Sequence, residues 1–291
     1  MKQVKHILIT GAGGQLGREL LDLFTGNEQY SVIPTDVAEL DITNNEAVER
    51  FFDENAVDFI VNCAAYTAVD RAEDDEECAL RINADAVANL AHAANRRGVK
   101  TVHVSTDYVF DGESCRPYDE THPVNPLSAY GRTKLAGEQQ LMEITHGNGV
   151  IVRTAWLYSP HGKNFVKTML ELGRSRDQLK VVFDQVGSPT YARDLASAII
   201  AIIDAPEWIP GIYHYSNEGV ISWYDFTKAI HRIAGITNCN VMPCHSADYP
   251  TPAHRPSYSV LDKTKIKQTY GITIPYWEDS LRHCIDRLLN K

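Results

Sequence analysis

The sequence predicts an α/β protein: a doubly wound parallel sheet with a smaller α/β substrate-binding domain. Three observations point there. Short apolar runs alternate with helix-period segments through the first half of the chain, the pattern of repeated β-α-β units. The first apolar run leads straight into a glycine-rich turn. The 291 residues are 44% apolar and 23% charged, ordinary for a globular protein with a substantial core.

In chain order, the first strand covers 7–10 and a helix follows over about 15–24. A second strand, 31–36, carries Pro34, which suits an edge position or a strand end. Helical patterns over 45–55, 78–97 and 129–144 separate strands at 59–64, 101–105 and 149–154. The acidic run over 70–77 is expected to be a solvated first helical turn, where carboxylates suit the helix dipole. The second half is less regular, with strands near 180–183 and 212–215, helices over 194–203, 222–234 and 277–289, and a Pro- and His-rich loop over 243–256. Domain boundaries follow: 1–155 with about 186–218 for the dinucleotide, and about 156–185 with 219–291 for the substrate.

Composition excludes some classes. Thirty-eight acidic residues against 28 basic ones give a net charge of −10, which argues against a nucleic-acid or anionic-membrane binder. No apolar stretch is long enough for a signal sequence or a membrane span. Six scattered cysteines lack zinc spacing, as expected of reduced thiols in a cytoplasmic protein.

The turn after the first strand reads Gly11-Ala12-Gly13-Gly14-Gln15-Leu16-Gly17. Glycines there permit a tight turn and let a pyrophosphate approach the backbone at a helix N-terminus. The frame is Rossmann-like. Asp36 lies 19 residues beyond Gly17, where a carboxylate bonds an adenosine 2′-hydroxyl, and Asp41-Ile42 lies where the adenine would be flanked. Arg18 offers the opposite preference, for a 2′-phosphate, so NADH and NADPH both stay open.

A second constellation lies downstream. Thr106 ends a strand, and Tyr130 and Lys134 follow at i and i+4 on one helical face. Tyrosine ordinarily titrates near ~10, and a neighbouring cation is expected to lower that value. Tyr130 would then give a proton to a developing alkoxide, with Thr106 bonding the same oxygen. Tyr-x-x-x-Lys alone is weak: Tyr224 and Lys228 repeat it.

Taken together these motifs resemble the extended short-chain dehydrogenase/reductases. Asn62-Cys63-Ala64-Ala65-Tyr66-Thr67-Ala68-Val69-Asp70, Ser105-Thr106-Asp107-Tyr108-Val109-Phe110, Arg153-Thr154-Ala155-Trp156 and Arg255-Pro256 resemble the dTDP-4-dehydrorhamnose reductases, over nearly the whole chain. The resemblance implies NAD(P)H-dependent reduction of dTDP-4-dehydro-β-L-rhamnose to dTDP-β-L-rhamnose. It also implies that Thr106, Tyr130 and Lys134 are the catalytic set, with Lys134 also on the nicotinamide ribose. Ala64, Ala65 and Tyr66 would line the cofactor cleft. Val69, Asp107, Tyr108 and Trp156 would meet the nucleotide sugar, and Arg255 would clamp its diphosphate.

Some such enzymes dimerise through a divalent metal held by glutamates, and Glu19 stands where one ligand would lie. No matching glutamates occur near the C-terminus, so a monomer or homodimer without metal is expected; magnesium would enter only through such a dimer. Two alternatives remain: another nucleotide-sugar epimerase or dehydratase, and a non-catalytic dinucleotide-binding regulatory subunit.

Overall fold

The computed structural model describes residues 4–289. β1 (Lys5–Thr10) turns directly into α1 (Gln15–Phe24), and β2 (Tyr30–Thr35) follows. β2 runs through Pro34 rather than ending at it; it is the sheet's edge strand, where a missing N–H is tolerated. α2 (Asn45–Glu54) is capped by Asn44, whose side chain accepts from Ala47 N–H. β3 (Phe59–Asn62) is buried throughout.

The acidic run is spread over α3 (Val69–Ala72), a turn, and the start of α4 (Glu76–Leu80). The single helix expected over 78–97 is instead α4, a π-helical turn at Arg81–Asp85, and α5 (Ala86–Arg97). The π turn presses on α6 (Ala129–Ile144), which arrives after β4 (Lys100–Thr106). At that crossing a Cβ on Gly137 would collide with the Asn83 carbonyl. Ser128 caps α6 by accepting from Gly131 N–H at 3.1 Å.

The remainder alternates short elements: β5 (Val150–Thr154), β6 (Leu157–Tyr158), α7 (Phe165–Ser175), β7 (Gln178–Val182), β8 (Val186–Gly187), β9 (Thr190–Tyr191) and α8 (Ala192–Asp204). β10 (Gly211–Tyr215), β11 (Ile221–Ser222), α9 (Trp223–Ile233), β12 (Asn240–Cys244), α10 (Thr264–Tyr270) and α11 (Trp277–Leu289) complete it. α7 and α10 were not expected.

Six parallel strands form one sheet in the order β10-β5-β4-β3-β1-β2. Alternation along β1 sorts side chains to two faces. Ile7 and Ile9 pack with Leu20 of α1 and Leu195, Ile199 and Ile202 of α8. Leu8 packs with Val48 and Phe52 of α2 and Leu90 of α5. A separate core joins α7, α9 and α11 through Val166, Leu170, Phe226, Ile230, Leu281 and Ile285. Ile266 and Ile274, although late in the chain, pack into the sheet's core. Strand order switches between β1 and β3, and open α/β sheets bind ligands outside the strand carboxyl ends at such a switch. Among the described residues no helix is long and apolar enough to cross a membrane. All six cysteines are free.

Candidate active site

The cleft opens at that switch point. Gly11 leaves β1 at φ +65°, and a Cβ there would lie 2.8 Å from the Ala64 backbone, so only glycine lets the ends of β1 and β3 approach. At Gly17 a Cβ would meet Gly11 O at 2.5 Å. Gly14 caps α1 with no side-chain bond to its first N–H groups, leaving donors for an anion. Gly11, Gly14, Gln15, Leu16 and Gly17 all line the cleft, with Asp36, Asp41, Ile42, Ala64 and Ala65.

Asp36 accepts from Gly13 N–H at 2.8 Å, and Arg18 Nε donates to Gly13 O at 3.1 Å. The two groups with opposite cofactor preference therefore flank one loop residue. Bonds from the Thr43 hydroxyl and N–H hold the Asp41 carboxyl below its usual range. Tyr66 departs from expectation. It does not line the cleft; its ring packs against the cluster of Ala72, Ala79 and Ala129, and its backbone is gripped by Asn83.

β4 and α6 bring Thr106, Tyr130 and Lys134 to the same cleft. Thr106 is buried and donates to Asp107 Oδ1 at 2.9 Å. Lys134 is 1% exposed, and its Nζ donates to Val104 O at 2.7 Å. Burial pushes Lys134 down to about 8, opposed by the Glu138 charge one turn along α6. Tyr130 corrects the sequence argument. Burial raises its phenol above the ordinary value, with the Thr106 hydroxyl pulling the other way. A phenol that keeps its proton at neutral pH suits an acid, not a base. Burial likewise pushes Asp107 up to about 7, and its Oδ2 has no hydrogen-bond partner.

On the substrate side, Val69, Asp107, Tyr108, Trp156 and Arg255 all line the cleft. Trp156 holds φ +50°, rare for a bulky residue. Its ring stacks on Trp223 at 3.5 Å, and a Cβ on Gly187 would lie 2.7 Å from it, so the indole is held between the two. Arg255 is not a free clamp. Its Nη2 pairs with Asp70 at 2.7 Å and its Nη1 donates to the Tyr108 hydroxyl at 3.0 Å. The stretch expected as one long loop over 243–256 starts as β12, turns at Ser246–Asp248, and is tied down by this pair. Tyr224 and Lys228 lie on α9, where Tyr224 packs against the second core.

Glu19 does not fit a magnesium ligand. It is fully buried, and Arg287 Nη1 donates to its two oxygens at 2.9 and 2.8 Å while Ser159 donates at 3.0 Å. Glu19, Asp22 and His161 place ligand atoms within 4.8 Å of one another, yet Arg287 also pairs with Asp22. A guanidinium occupies the position a cation would need.

Three polar residues escaped the sequence reading: Asn62, Asn83 and His103. Asn83 donates to Tyr66 O and to Thr133 Oγ1 of α6, linking the β3 loop to the helix that carries Tyr130. Asn62 and His103 are buried in β3 and β4 and bond to each other at 3.0 Å. The available signal was a polar side chain inside an apolar strand, which must find a partner.

Comparison with known proteins matches residues 5–290 to the RmlD substrate binding domain family. The chain is 45% identical over 287 residues to a dTDP-4-dehydrorhamnose reductase of Aggregatibacter actinomycetemcomitans, covering 96% of this chain and 97% of that one. A solved dTDP-4-dehydrorhamnose reductase of Clostridium acetobutylicum superposes with TM-score 0.93 at 48% identity, over 98% of this chain and 99% of that one. One from Bacillus anthracis, solved in complex with NADP, gives 0.94 at 40% identity, over 98% and 100%. The chain belongs to the dTDP-4-dehydrorhamnose reductase family.

Proposed function

We propose that this protein reduces the 4-keto group of dTDP-4-dehydro-β-L-rhamnose to give dTDP-β-L-rhamnose, the last step in making that activated sugar. The observation that carries the reading is the convergence of Thr106, Tyr130 and Lys134 with the glycine loop in one cleft. When bound, NADPH or NADH supplies a hydride to C4 of the sugar. Tyr130, neutral at pH 7, gives its proton to the carbonyl oxygen as the C–O double bond becomes single. Thr106 bonds the same oxygen, and Lys134 holds the nicotinamide ribose and stabilises the phenolate that Tyr130 leaves behind. Gly11, Gly14, Gln15, Leu16 and Gly17 hold the pyrophosphate, while Asp36, Asp41 and Ile42 hold the adenosine. The NADP bound by the B. anthracis relative supports NADPH as one cofactor.

Val69, Asp107, Tyr108 and Trp156 contact the nucleotide sugar, and Arg255 reaches the diphosphate with donors that Asp70 and Tyr108 leave free. We place the dinucleotide domain at 1–155 with about 186–218, and the substrate domain at about 156–185 with 219–291. The buried Glu19–Arg287 pair supports a metal-free monomer or homodimer, and free cysteines fit the cytoplasm. The test is cofactor oxidation with enzymatically generated dTDP-4-dehydrorhamnose. One NAD(P)H consumed per dTDP-rhamnose formed supports the reading; dinucleotide binding without oxidation defeats it.

A further inference from the structure

The Thr106 hydroxyl has one proton and two claimants for it. Thr106 caps the short turn at Asp107–Val109, and its oxygen accepts from Tyr108 N–H at 3.2 Å, a backbone donor that cannot reverse. On its other side it meets Asp107 Oδ1 at 2.9 Å. A carboxylate only accepts, so an ionised Asp107 takes the Thr106 proton. Thr106 then offers the cleft nothing but a lone pair. A carbonyl oxygen, and the alkoxide it becomes, also only accept, so the two would stand lone pair against lone pair. The same commitment stops Thr106 from donating to Tyr130, the bond that pulls its phenol down against burial.

The acid form of Asp107 resolves both conflicts. Its O–H donates to Thr106 Oγ1, which then accepts from Asp107 and from Tyr108 N–H, and the Thr106 proton is left for the cleft. That uses the full capacity of a hydroxyl. The surroundings favour this form. Asp107 is 4% exposed and its Oδ2 has no partner, a place where a carboxylate is costly and a neutral acid is not. The groups that face it are Tyr108 beside it, Tyr130 of α6, and Ser259, whose hydroxyl is directed at Val186 O at 3.5 Å. The cations lining this part of the cleft are held elsewhere: Arg255 by Asp70 and the Tyr108 hydroxyl, Lys134 by Val104 O. A neutral Asp107 also withdraws a negative charge that raises Tyr130.

We infer that Asp107 is a positioning residue that acts through Thr106: in its acid form it turns the Thr106 proton toward the reacting oxygen, and when it ionises it takes that proton back. Its Oδ2 stays available to accept from a sugar hydroxyl in either form. The kinetic consequence rests on the reductase reading, but the protonation state of Asp107 can be read without turnover.

The first experiment is a pH titration of the aspartate carboxyl carbons by NMR, on free wild-type protein labelled with 13C-carboxyl aspartate. Asp107→Asn assigns the Asp107 signal. A midpoint above pH ~6 is expected, and a protein in which every aspartate has ionised by that pH overturns the inference, whether or not any variant folds. The second is the pH profile of kcat/KM at saturating NADPH. Activity should hold below the Asp107 midpoint and fall about tenfold per pH unit above it. In Asp107→Asn the amide donates to Thr106 at every pH, so the alkaline limb should move from about 7 to about 8 or beyond, where Lys134 loses its proton. A limb that stays in place in Asp107→Asn overturns the inference. A wild-type protein with no reductase activity would defeat the proposed function, while the carboxyl titration still decides this one.

Discussion

Glu138→Gln should cost stability far beyond an ordinary surface change. Glu138 and Arg153 are each 3% exposed at the side chain, and they meet through two bonds of 2.9 and 2.6 Å. Replacing the carboxylate leaves a guanidinium buried in the sheet with no counter-charge, and its Nη1 already lacks a partner. Breaking a buried pair from one side costs ~3–5 kcal/mol. With a urea m-value of ~3 kcal/mol/M, the unfolding midpoint should fall by about 1–1.7 M. Replacing both partners, Glu138→Met with Arg153→Met, removes the stranded charge and should recover most of the loss. Equilibrium urea unfolding followed by tryptophan fluorescence measures both. A loss under ~1 kcal/mol for Glu138→Gln, or a double variant no better than the single one, would refute the reasoning.

Acid should destabilise the protein well above the carboxylate range. Burial holds His214 at about 3, so the unfolded chain binds the extra proton below pH ~6.5, and stability rises with pH through that window. At pH 5 this single residue costs about 2 kcal/mol, and His214→Gln should flatten the dependence of urea midpoint on pH. Gly137→Ala drives a methyl into the Asn83 carbonyl and should lower stability by ~1–3 kcal/mol, with a fall in kcat because α6 carries Tyr130. Arg255→Ala should raise KM about tenfold, the worth of one charge-assisted hydrogen bond, with kcat nearly unchanged. Its half-exposed pair with Asp70 should contribute under ~1 kcal/mol in a melting experiment, and an unchanged KM would remove Arg255 from the diphosphate site.

What could be read from sequence was what local chemistry dictates. α6 spans the expected 129–144 because Ser128 caps it and its pattern is helical throughout. The glycine loop follows β1 as its glycines require, and Pro34 does mark an edge strand. Contacts between distant segments were not legible. Asp70 takes hold of Arg255 across 185 residues, and nothing near either position signals it. The π turn arises from the approach of α6 at Gly137, a tertiary cause. The expected depression of Tyr130 failed for a related reason: i, i+4 spacing conveys proximity but not burial, and burial sets the sign here. Glu19 was recognised as a special position, while the arginine that fills it lies on α11.

The most direct measurement is the fate of label from [4,4-2H2]NADPH incubated with the protein and dTDP-4-dehydrorhamnose. One deuterium at C4 of dTDP-rhamnose per turnover, with Tyr130→Phe slowed by ~10²–10⁴-fold, is the predicted result. Product without deuterium at C4, or a Tyr130→Phe variant turning over at the wild-type rate, would contradict it.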